Sequence, residues 1–128
     1  MTSVELNSAR YMNLATFRRS GRAVNTPVWF AADEGAYYVF SASKAGKIKR
    51  LRNSPAARIA PCDARGGLLG EWLNSRAYIV DSIEEERKAY RLLMEKYGWQ
   101  MRITNLFSWL AGKINQRSVI VIRPAEGP

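Results

Sequence analysis

Five positively charged side chains crowd the segment SASKAGKIKRLR at residues 41–52: Lys44, Lys47, Lys49, Arg50 and Arg52. No acidic residue occurs between Glu34 and Asp63, so the electrostatic potential along this segment is positive. The segment follows a strand-like run and has the character of a short helix, whose N-terminus adds positive charge of its own. This pattern suits the binding of a phosphate or of a longer polyanionic group.

Helical spacing places these cations differently around the predicted helix. At about 100° per residue, Ile48 and Leu51 fall together on its inward side. Around them, Lys44 and Lys47 flank that side, Arg50 lies further round, and Lys49 and Arg52 point toward solvent. Only one set of cations can line a cleft. A solvated cationic face that serves solubility is the alternative, and the charge run alone does not decide between them.

Two serines precede the cations, at the end of the strand and at the predicted start of the helix. Ser41 closes the strand-like run, and Ser43 occupies the predicted N-cap position. Their hydroxyls and the backbone amides of a first helical turn are groups that suit a bound phosphate. We therefore count both serines among the candidate anion-binding residues.

The composition predicts a single globular domain over residues 1–128, with 47% hydrophobic and 24% charged residues. A domain of this size buries roughly two-thirds of its unfolded surface, which leaves little material for a deep cofactor pocket within one subunit. A pocket shared by two subunits would solve that problem. The net charge of +9 suits a partner that carries phosphates or carboxylates, and nucleic acid is one such partner.

The chain contains no histidine and one cysteine, Cys62. These counts remove the usual proton shuttle, a disulfide framework and a cysteine-rich metal site, and no metal is expected. They predict a reducing, cytoplasmic setting. Neither a signal peptide nor a membrane-spanning segment is recognisable, so a membrane partner is not expected.

The elements that must position the cations are mostly strands. The sequence predicts strands at Tyr11–Phe17, Ala23–Ala32, Ala36–Ala42, Ala57–Cys62, Leu68–Val80 and Ser118–Ile122. Asp33, Glu34 and Gly35 form a hairpin turn that makes the second and third strands an antiparallel pair. Pro27 interrupts the second strand, which is typical of an edge, a bulge or a place where something else faces the backbone. Consecutive short strands of this kind indicate a barrel.

Helices flank the predicted strands. Ser3 caps a short first helix that ends at Ala9, and Ser82 with Glu85 has the spacing of a capping box for a second, longer helix that ends at Gly98. The apolar stripe of that helix consists of Ile83, Tyr90, Leu93, Met94 and Tyr97. The segment from 99 to 114 is apolar but poorly periodic. This longer helix is expected to be structural.

Four segments in the same order resemble one known family. They are YMNLATF at 11–17, TPVWF at 26–30, KIKRLRNSP at 47–55 and APCDARG at 60–66. Together they resemble the pyridoxamine 5'-phosphate oxidase-related flavin-binding split barrels. Within that group the chain is most similar to the small branch that uses the 8-hydroxy-5-deazaflavin coenzyme (F420), and the resemblance covers residues 8–123.

The resemblance implies a mainly β fold with flanking helices: a six-stranded split β-barrel that forms a homodimer. It also implies one FMN or F420 cofactor in each of two grooves built from both subunits. By position, Lys47 matches the family's phosphate-binding lysine, helped by Arg50, by Ser41 or Ser43, and by Lys44 toward an acidic tail. The strand along which the ring lies would be formed by Thr26, Pro27, Val28 and Trp29.

The implied function is hydride transfer between the cofactor and a small organic substrate, which asks little of side chains because the cofactor supplies the chemistry. No catalytic residue is assigned. The expected substrate side of the groove includes Cys62, Asp63 and Arg65, with Trp29, Trp72 and Tyr78 as apolar walls. Core packing is the alternative for each aromatic residue, and a small buried hydrophobe is the alternative for Cys62.

Several functions remain open at this point. The arginine and histidine set that would hold pyridoxal phosphate is not found, so pyridoxamine oxidation is not expected. The excess of cations favours the longer, acidic F420 over FMN. A flavin or tetrapyrrole carrier on the same fold is the first alternative to an oxidoreductase. A basic nucleic-acid-binding domain ranks last, because no motif of that class occurs.

Overall fold

A computed structural model describes residues 6–98 and 117–125 of the chain. The strands are β1 (Tyr11–Phe17), β2 (Ala23–Val28), β3 (Ala31–Asp33), β4 (Ala36–Ala42), β5 (Ala56–Cys62), β6 (Leu73–Val80) and β7 (Arg117–Pro124). The helices of more than one turn are α1 (Gly46–Asn53) and α2 (Ile83–Tyr97). Residues 6–8 are also helical. The predicted cap Ser3 and the apolar segment 99–114 lie outside the described residues.

The strands form one antiparallel sheet in the order β2-β1-β5-β6-β7-β4-β3. The two edge strands, β2 and β3, are joined only by Trp29 and Phe30. A link of that length spans at most about 11 Å, since consecutive Cα atoms lie about 3.8 Å apart. The sheet must therefore curl until its two edges approach each other, which gives a half-barrel. The mainly β prediction is confirmed.

The described sheet has seven strands, where the resemblance implied six. The difference arises within the predicted strand Ala23–Ala32, which breaks at Trp29 and Phe30. Residues before the break pair with β1, and residues after it pair with β4. The predicted hairpin is confirmed only for the short β3, where Glu34 and Gly35 both adopt positive φ values of 49° and 80°.

The strand predicted at Leu68–Val80 begins later, at Leu73. Leu68 forms only an isolated bridge with Cys62, and the backbone N–H of Leu69 donates to the carbonyl of Pro61. Residues 68–72 therefore belong to a loop that runs back along the end of β5. This loop lies next to the candidate site described below.

The core has two parts, one on each face of the curled sheet. The inner face holds Met12, Leu14, Phe30, Ile59, Ile120 and Ile122, and helix α1 adds Ile48 and Leu51, both buried as predicted. The outer face of β4 and β7 is covered by α2 through Ala89 and Leu93. Helix α1 thus packs against the inner core beside β1, which fixes where its cations lie.

Helix α2 begins and ends as the sequence predicts. The Ser82 hydroxyl accepts a hydrogen bond from the Glu85 N–H at 3.0 Å, and Gly98 ends the helix at φ 58°. The predicted apolar stripe is wrong at Ile83 and Tyr90, which are 62% and 37% exposed. The buried stripe runs through Ala89, Leu93 and Tyr97 instead, because the sheet covers only a narrow face with that spacing.

Two further observations concern the described residues as a set. None of their helices is both long enough and apolar enough to cross a bilayer. They also contain no group of three or more His, Cys, Asp or Glu side chains with the geometry of a metal site.

Candidate functional site

The side chain of Arg50 has a fixed position at the start of α1. The Arg50 Nε donates a hydrogen bond of 2.6 Å to the Thr16 hydroxyl of β1, and Thr16 is completely buried. A Cβ atom at Gly46 would lie only 2.8 Å from the Arg50 Nη1, so the guanidinium folds across the first residue of the helix. Glycine at this position permits that approach. Arg50 is therefore anchored at the N-terminal end of α1.

Three cations lie close enough here to repel one another. Burial lowers the pKa of Lys47, and the charge of Arg50 lowers it further. Burial also lowers the pKa of Arg50, with a further contribution from Arg18 in the turn after β1. Lys47, Arg50 and Arg18 are called the cationic cluster below. The ion pair between Lys88 and Asp33 lies on other elements, and no carboxylate contributes to the pKa shifts of Lys47 and Arg50.

The two predicted serines are engaged elsewhere. The N-cap of α1 is Ala45, without a side-chain cap, so the prediction that Ser43 caps the helix is wrong. The Ser43 and Ser118 hydroxyls lie 2.9 Å apart, and the buried Ser41 donates to the Ala42 carbonyl. A turn closed by the Ala45 N–H and the Ala42 carbonyl delays the start of the helix. Contact of these serines with a phosphate stays a prediction.

The remaining cations of the segment are exposed. Lys49 and Arg52 point to solvent, as predicted, and Lys44 is exposed in the turn before α1. Of the five cations in the segment, only Lys47 and Arg50 are partly buried. The structure thus separates the set that belongs to a site from the set that lies on the surface.

The predicted ring-binding strand lies beside the cationic cluster. Thr16, which anchors Arg50, is paired with Val24 of β2, and Thr26 lies two residues further along that strand. Two residues of a strand span about 7 Å. Pro27 is exposed on β2, and no described strand pairs with the outer edge of β2, where a proline is tolerated. The predicted phosphate-binding and ring-binding residues are therefore brought together.

The far end of the predicted ring-binding strand is fixed by α2. Trp29 stacks on Tyr97 with ring centroids 4.5 Å apart and an interplanar angle of 8°. The Tyr97 hydroxyl accepts a hydrogen bond from the Phe30 N–H at 3.0 Å and donates to the Arg10 carbonyl at 2.6 Å. Tyr97 therefore ties the link between β2 and β3 to the end of α2. One face of Trp29 is occupied by this contact.

The predicted substrate loop, residues 63–67, borders the same strand. The Asp63 Oδ1 accepts hydrogen bonds from the N–H groups of Arg65 and Gly67, and these bonds lower the pKa of the Asp63 carboxyl. The Gly66 carbonyl accepts from the Asn13 amide at 2.7 Å, and a Cβ at Gly66 would lie 3.9 Å from the Pro27 ring. Asp63 thus shapes a loop that packs beside Pro27, while Arg65 is exposed.

The other three candidates on the substrate side differ in exposure. Cys62 is fully buried, and burial together with Asp63 raises the pKa of its thiol to about 11, so it is a protonated core residue. Trp72 is half-buried, and the centroid of its ring lies 5.2 Å from the guanidinium carbon of Arg58. Tyr78 is exposed on β6. The alternative interpretation of Cys62 as a small buried hydrophobe is the one that the structure favours.

A groove of about 370 Å³ lies elsewhere on the molecule. It is lined by Phe40 of β4 and by Ile83, Glu86, Arg87 and Tyr90 of α2. None of the predicted site residues lines it. The candidate site is therefore defined by the cationic cluster and by β2, and this groove is not part of it.

A model of the pyridoxamine 5'-phosphate oxidase family matches residues 3–127. The chain belongs to this family. The resemblance drawn from the four sequence segments is thereby confirmed, together with the split-barrel class of fold. No curated protein sequence matches the chain.

Solved structures of similar fold carry several functions. A conserved hypothetical protein from Mycobacterium tuberculosis has a TM-score of 0.73 at 22% identity, over 97% of this chain and 78% of its own. An F420 reductase has a TM-score of 0.62 at 20% identity, over 97% of this chain and 93% of its own. The haem storage protein HutZ from Vibrio cholerae has a TM-score of 0.72 at 14% identity, over 98% of this chain and 88% of its own. At these identities the likeness shows the fold of this pyridoxamine 5'-phosphate oxidase family member, and not its ligand.

Sequence reasoning missed three residues of the site in this family member. In the sequence, Thr16 lies within the predicted strand Tyr11–Phe17 and Arg18 follows that strand. Tyr97 belongs to the apolar stripe of a helix that is expected to be structural. Thr16 and Arg18 join the site because α1 packs against β1, and Tyr97 joins it because α2 ends beside the link of β2 and β3. Each depends on a long-range contact, for which local sequence carries no signal.

A lysine without a described carboxylate partner lies beside Tyr97. The Lys96 Nζ is 3.4 Å from the centroid of the buried Phe30 ring. Burial, and then the charge of Arg10, lower the pKa of this amine to about 8. The folded protein therefore binds this proton more weakly than the unfolded chain, where a lysine has a pKa of about 10.4.

We expect Lys96 to contribute a rise of about 1 kcal/mol in the free energy of unfolding between pH 8 and pH 9, because the unfolded state holds more protons on this amine there. Cys62 and Tyr97 act in the opposite sense, since their pKa values are raised to about 11 and about 12. An unfolded cysteine has a pKa of about 8.5, so Cys62 already offsets more than half of the Lys96 contribution in this interval, and the net rise is about 0.3 kcal/mol. Urea unfolding at pH 7, 8, 9 and 10 measures this profile.

The control for the pH profile is the Lys96→Met variant, which keeps an unbranched stem over Phe30 but removes the titrating amine. Its free energy of unfolding should fall between pH 8 and pH 9, because the effect of Cys62 is then no longer offset by Lys96. The difference between the two profiles isolates the Lys96 contribution of about 1 kcal/mol. An unchanged profile in Lys96→Met would show that another group controls it.

Proposed function

We propose that the protein is a cytoplasmic homodimer that binds FMN or F420 and transfers a hydride between this cofactor and a small organic substrate. The observation that carries the proposal is the cationic cluster, which lacks a described carboxylate and lies beside the edge strand β2. Family membership and a similar F420 reductase support the choice of a flavin-type ligand.

The residues of the cluster fit the phosphate of such a cofactor. Lys47 is half-buried, so a hydrogen bond from its ammonium to a phosphate would be charge-assisted and poorly screened. Arg50 is held in place by Thr16, so little side-chain entropy is lost when it binds. The mutual repulsion within the cluster would be relieved by a bound anion. Exposed Lys44 is placed to contact an acidic tail.

The ring system would lie along Thr26, Pro27, Val28 and Trp29. Bound flavin or deazaflavin supplies the hydride chemistry. The role of the chain is to bind and orient the ring: the outer edge of β2 carries backbone groups without a described strand partner, and Pro27 removes one N–H from that edge. On the substrate side, Asp63 shapes the loop in which Gly66 packs beside Pro27, and Arg65 and Trp72 would contact the substrate.

The homodimer is proposed because no described strand pairs with the outer edge of β2. A flat ring held on this one strand alone would remain exposed to water. A second copy of the chain would provide the other wall. This arrangement also supplies the pocket volume that a small domain lacks by itself.

A non-catalytic carrier is the second candidate, favoured by the likeness to a haem storage protein. For haem itself, the residues of this chain fit poorly: it has no histidine, and its single cysteine is buried with a raised pKa. A flavin carrier would use the same cationic cluster as the enzyme. Nucleic acid remains the last alternative and is not part of the proposal.

Separate titrations of the purified protein with FMN and with F420 test the proposed ligand. We expect a saturable change in the absorbance and fluorescence of one of them, at a ratio of one cofactor per chain. Reduced cofactor is then mixed with candidate acceptors: turnover supports the oxidoreductase, and binding without turnover supports the carrier. Binding of neither cofactor, with salt-sensitive binding of oligonucleotides, would contradict the proposal.

A further inference from the structure

Strand β5 carries an arginine held against two aromatic rings. The Arg58 guanidinium carbon lies 5.5 Å from the ring centroid of Phe17, at the end of β1, and 5.2 Å from that of Trp72, at the start of β6. Cation–π contacts of this kind stabilise a guanidinium in a defined position. Arg58 as a whole residue is half-buried.

The guanidinium of Arg58 lacks acceptors within the described chain. Its Nε is buried and has no hydrogen-bond partner among the described residues. The described ion pair, between Lys88 and Asp33, lies on other elements. A buried donor without an acceptor is rare in native proteins, because it loses its hydration without compensation. The pattern is therefore typical of a group whose acceptor comes from outside the described residues.

The residues opposite Arg58 bring no negative charge to it. In the sheet, Arg58 is paired with Ala15 of β1 and with Asn74 of β6. Ala15 is buried and apolar, and the exposed Asn74 is neutral. Ile59, the next residue of β5, points into the inner core, so Arg58 lies on the outer face of the sheet.

We propose that Arg58 forms an oxoanion-binding site on the outer face of the sheet, taking a carboxylate or phosphate through Nε and one Nη. A planar guanidinium binds such groups with two parallel hydrogen bonds, and Phe17 and Trp72 reduce the competition from water. The oxoanion belongs either to a small molecule or to a second copy of the chain.

This site is separate from the cationic cluster. Arg50 reaches Thr16, whereas Arg58 is paired with Ala15, and adjacent residues of a strand point to opposite faces. The two arginines therefore lie on opposite sides of β1. The proposal does not depend on the identity of the cofactor, and one site can fail while the other is confirmed.

Side-chain NMR of protein with ¹⁵N-labelled arginine tests the proposal, with inorganic phosphate and acetate as probes. The Nε–H signal of Arg58, assigned by its loss in Arg58→Lys, should shift in a saturable manner when either probe is added. In Arg58→Lys the charge remains but the two-pronged donor is lost, so site-specific affinity, followed on the Trp72 indole signal, should fall about tenfold. Arg76→Lys makes the same change at an exposed arginine of β6; it is the control and should change nothing.

A dilution series separates the two sources of the oxoanion. If the Arg58 signal changes with protein concentration in the absence of probe, and the change accompanies dimer formation, a second copy supplies the carboxylate. If it responds only to phosphate or acetate, a small molecule is the ligand. If the Nε–H signal responds to neither probe nor protein concentration, the proposal is wrong. Correlation of this signal with the Arg58 backbone assigns it in the unsubstituted protein as well, so a variant that fails to fold does not obscure this result.

Discussion

Lys47→Ala is expected to weaken binding of the flavin-type cofactor about tenfold or more. The substitution removes a charge-assisted hydrogen bond to the phosphate, which contributes on the order of 1.5–3 kcal/mol. Lys47 is half-buried, so this contact is less screened by solvent than one made by a surface lysine. Fluorescence titration with whichever cofactor binds the unsubstituted protein measures the loss.

Lys49→Ala is the matched control for this experiment. It makes the same change of charge on the same helix, but Lys49 is exposed. We expect less than about a twofold change in affinity, because exposed charges act weakly at physiological salt. Equal losses in the two variants would mean that general electrostatic attraction, and not a localised site, binds the cofactor.

The stability of the ligand-free variants gives a second readout for Lys47. In the folded protein, burial and the charge of Arg50 both disfavour the Lys47 ammonium. Removing it should therefore leave the ligand-free protein as stable as before, or more stable, while affinity falls. This opposition is typical of residues retained for binding at a cost in stability. Loss of both affinity and stability would indicate a structural role for Lys47.

Local features of the fold were predictable from the sequence. The turn at Glu34 and Gly35 has positive φ at both residues, which Gly35 adopts without steric cost, and Ser82 caps α2 through a neighbour three residues away. Ile48 and Leu51 are buried because helical spacing alone places them together. In each case the decisive interaction lies within a few residues along the chain.

Features that depend on pairing between distant strands were not predictable. The run Ala23–Ala32 has continuous strand character, yet it divides because the curled sheet needs β2 and β3 at opposite edges. Ile83 and Tyr90 have the spacing of a buried stripe, but the sheet covers the neighbouring stripe instead. Sequence periodicity states which residues share a face and does not state how wide the covering surface is.

The candidate site shows the same division. The run of positive charges in the sequence predicts Lys47 and Arg50 as anion-binding residues. The anchor of Arg50 at Thr16 was not visible, because it exists only when α1 packs on β1. The sequence also indicates Asp63 as a substrate contact, which stays a prediction, and it gives no sign that Oδ1 of this carboxylate accepts hydrogen bonds from the backbone of its own loop. Charge is readable from sequence, but the availability of a charged group is not.

Tyr97→Phe is expected to lower the free energy of unfolding by about 2–3 kcal/mol, the largest stability effect that we predict for a single removed atom. The hydroxyl accepts the hydrogen bond of the buried Phe30 N–H and donates to the Arg10 carbonyl. Phenylalanine keeps the ring that stacks on Trp29, so the change isolates these two bonds. Denaturant unfolding at pH 7 measures the difference.

Tyr90→Phe removes the same atom from an exposed tyrosine of the same helix and should change stability by less than about 0.5 kcal/mol. Because the Tyr97 hydroxyl fixes the link between β2 and β3, its loss should also loosen Trp29 and reduce cofactor affinity. Lys47→Ala is expected to reduce affinity without reducing stability, and Tyr97→Phe to reduce both. If Tyr97→Phe left affinity unchanged, the ring of the cofactor would not lie along the end of β2.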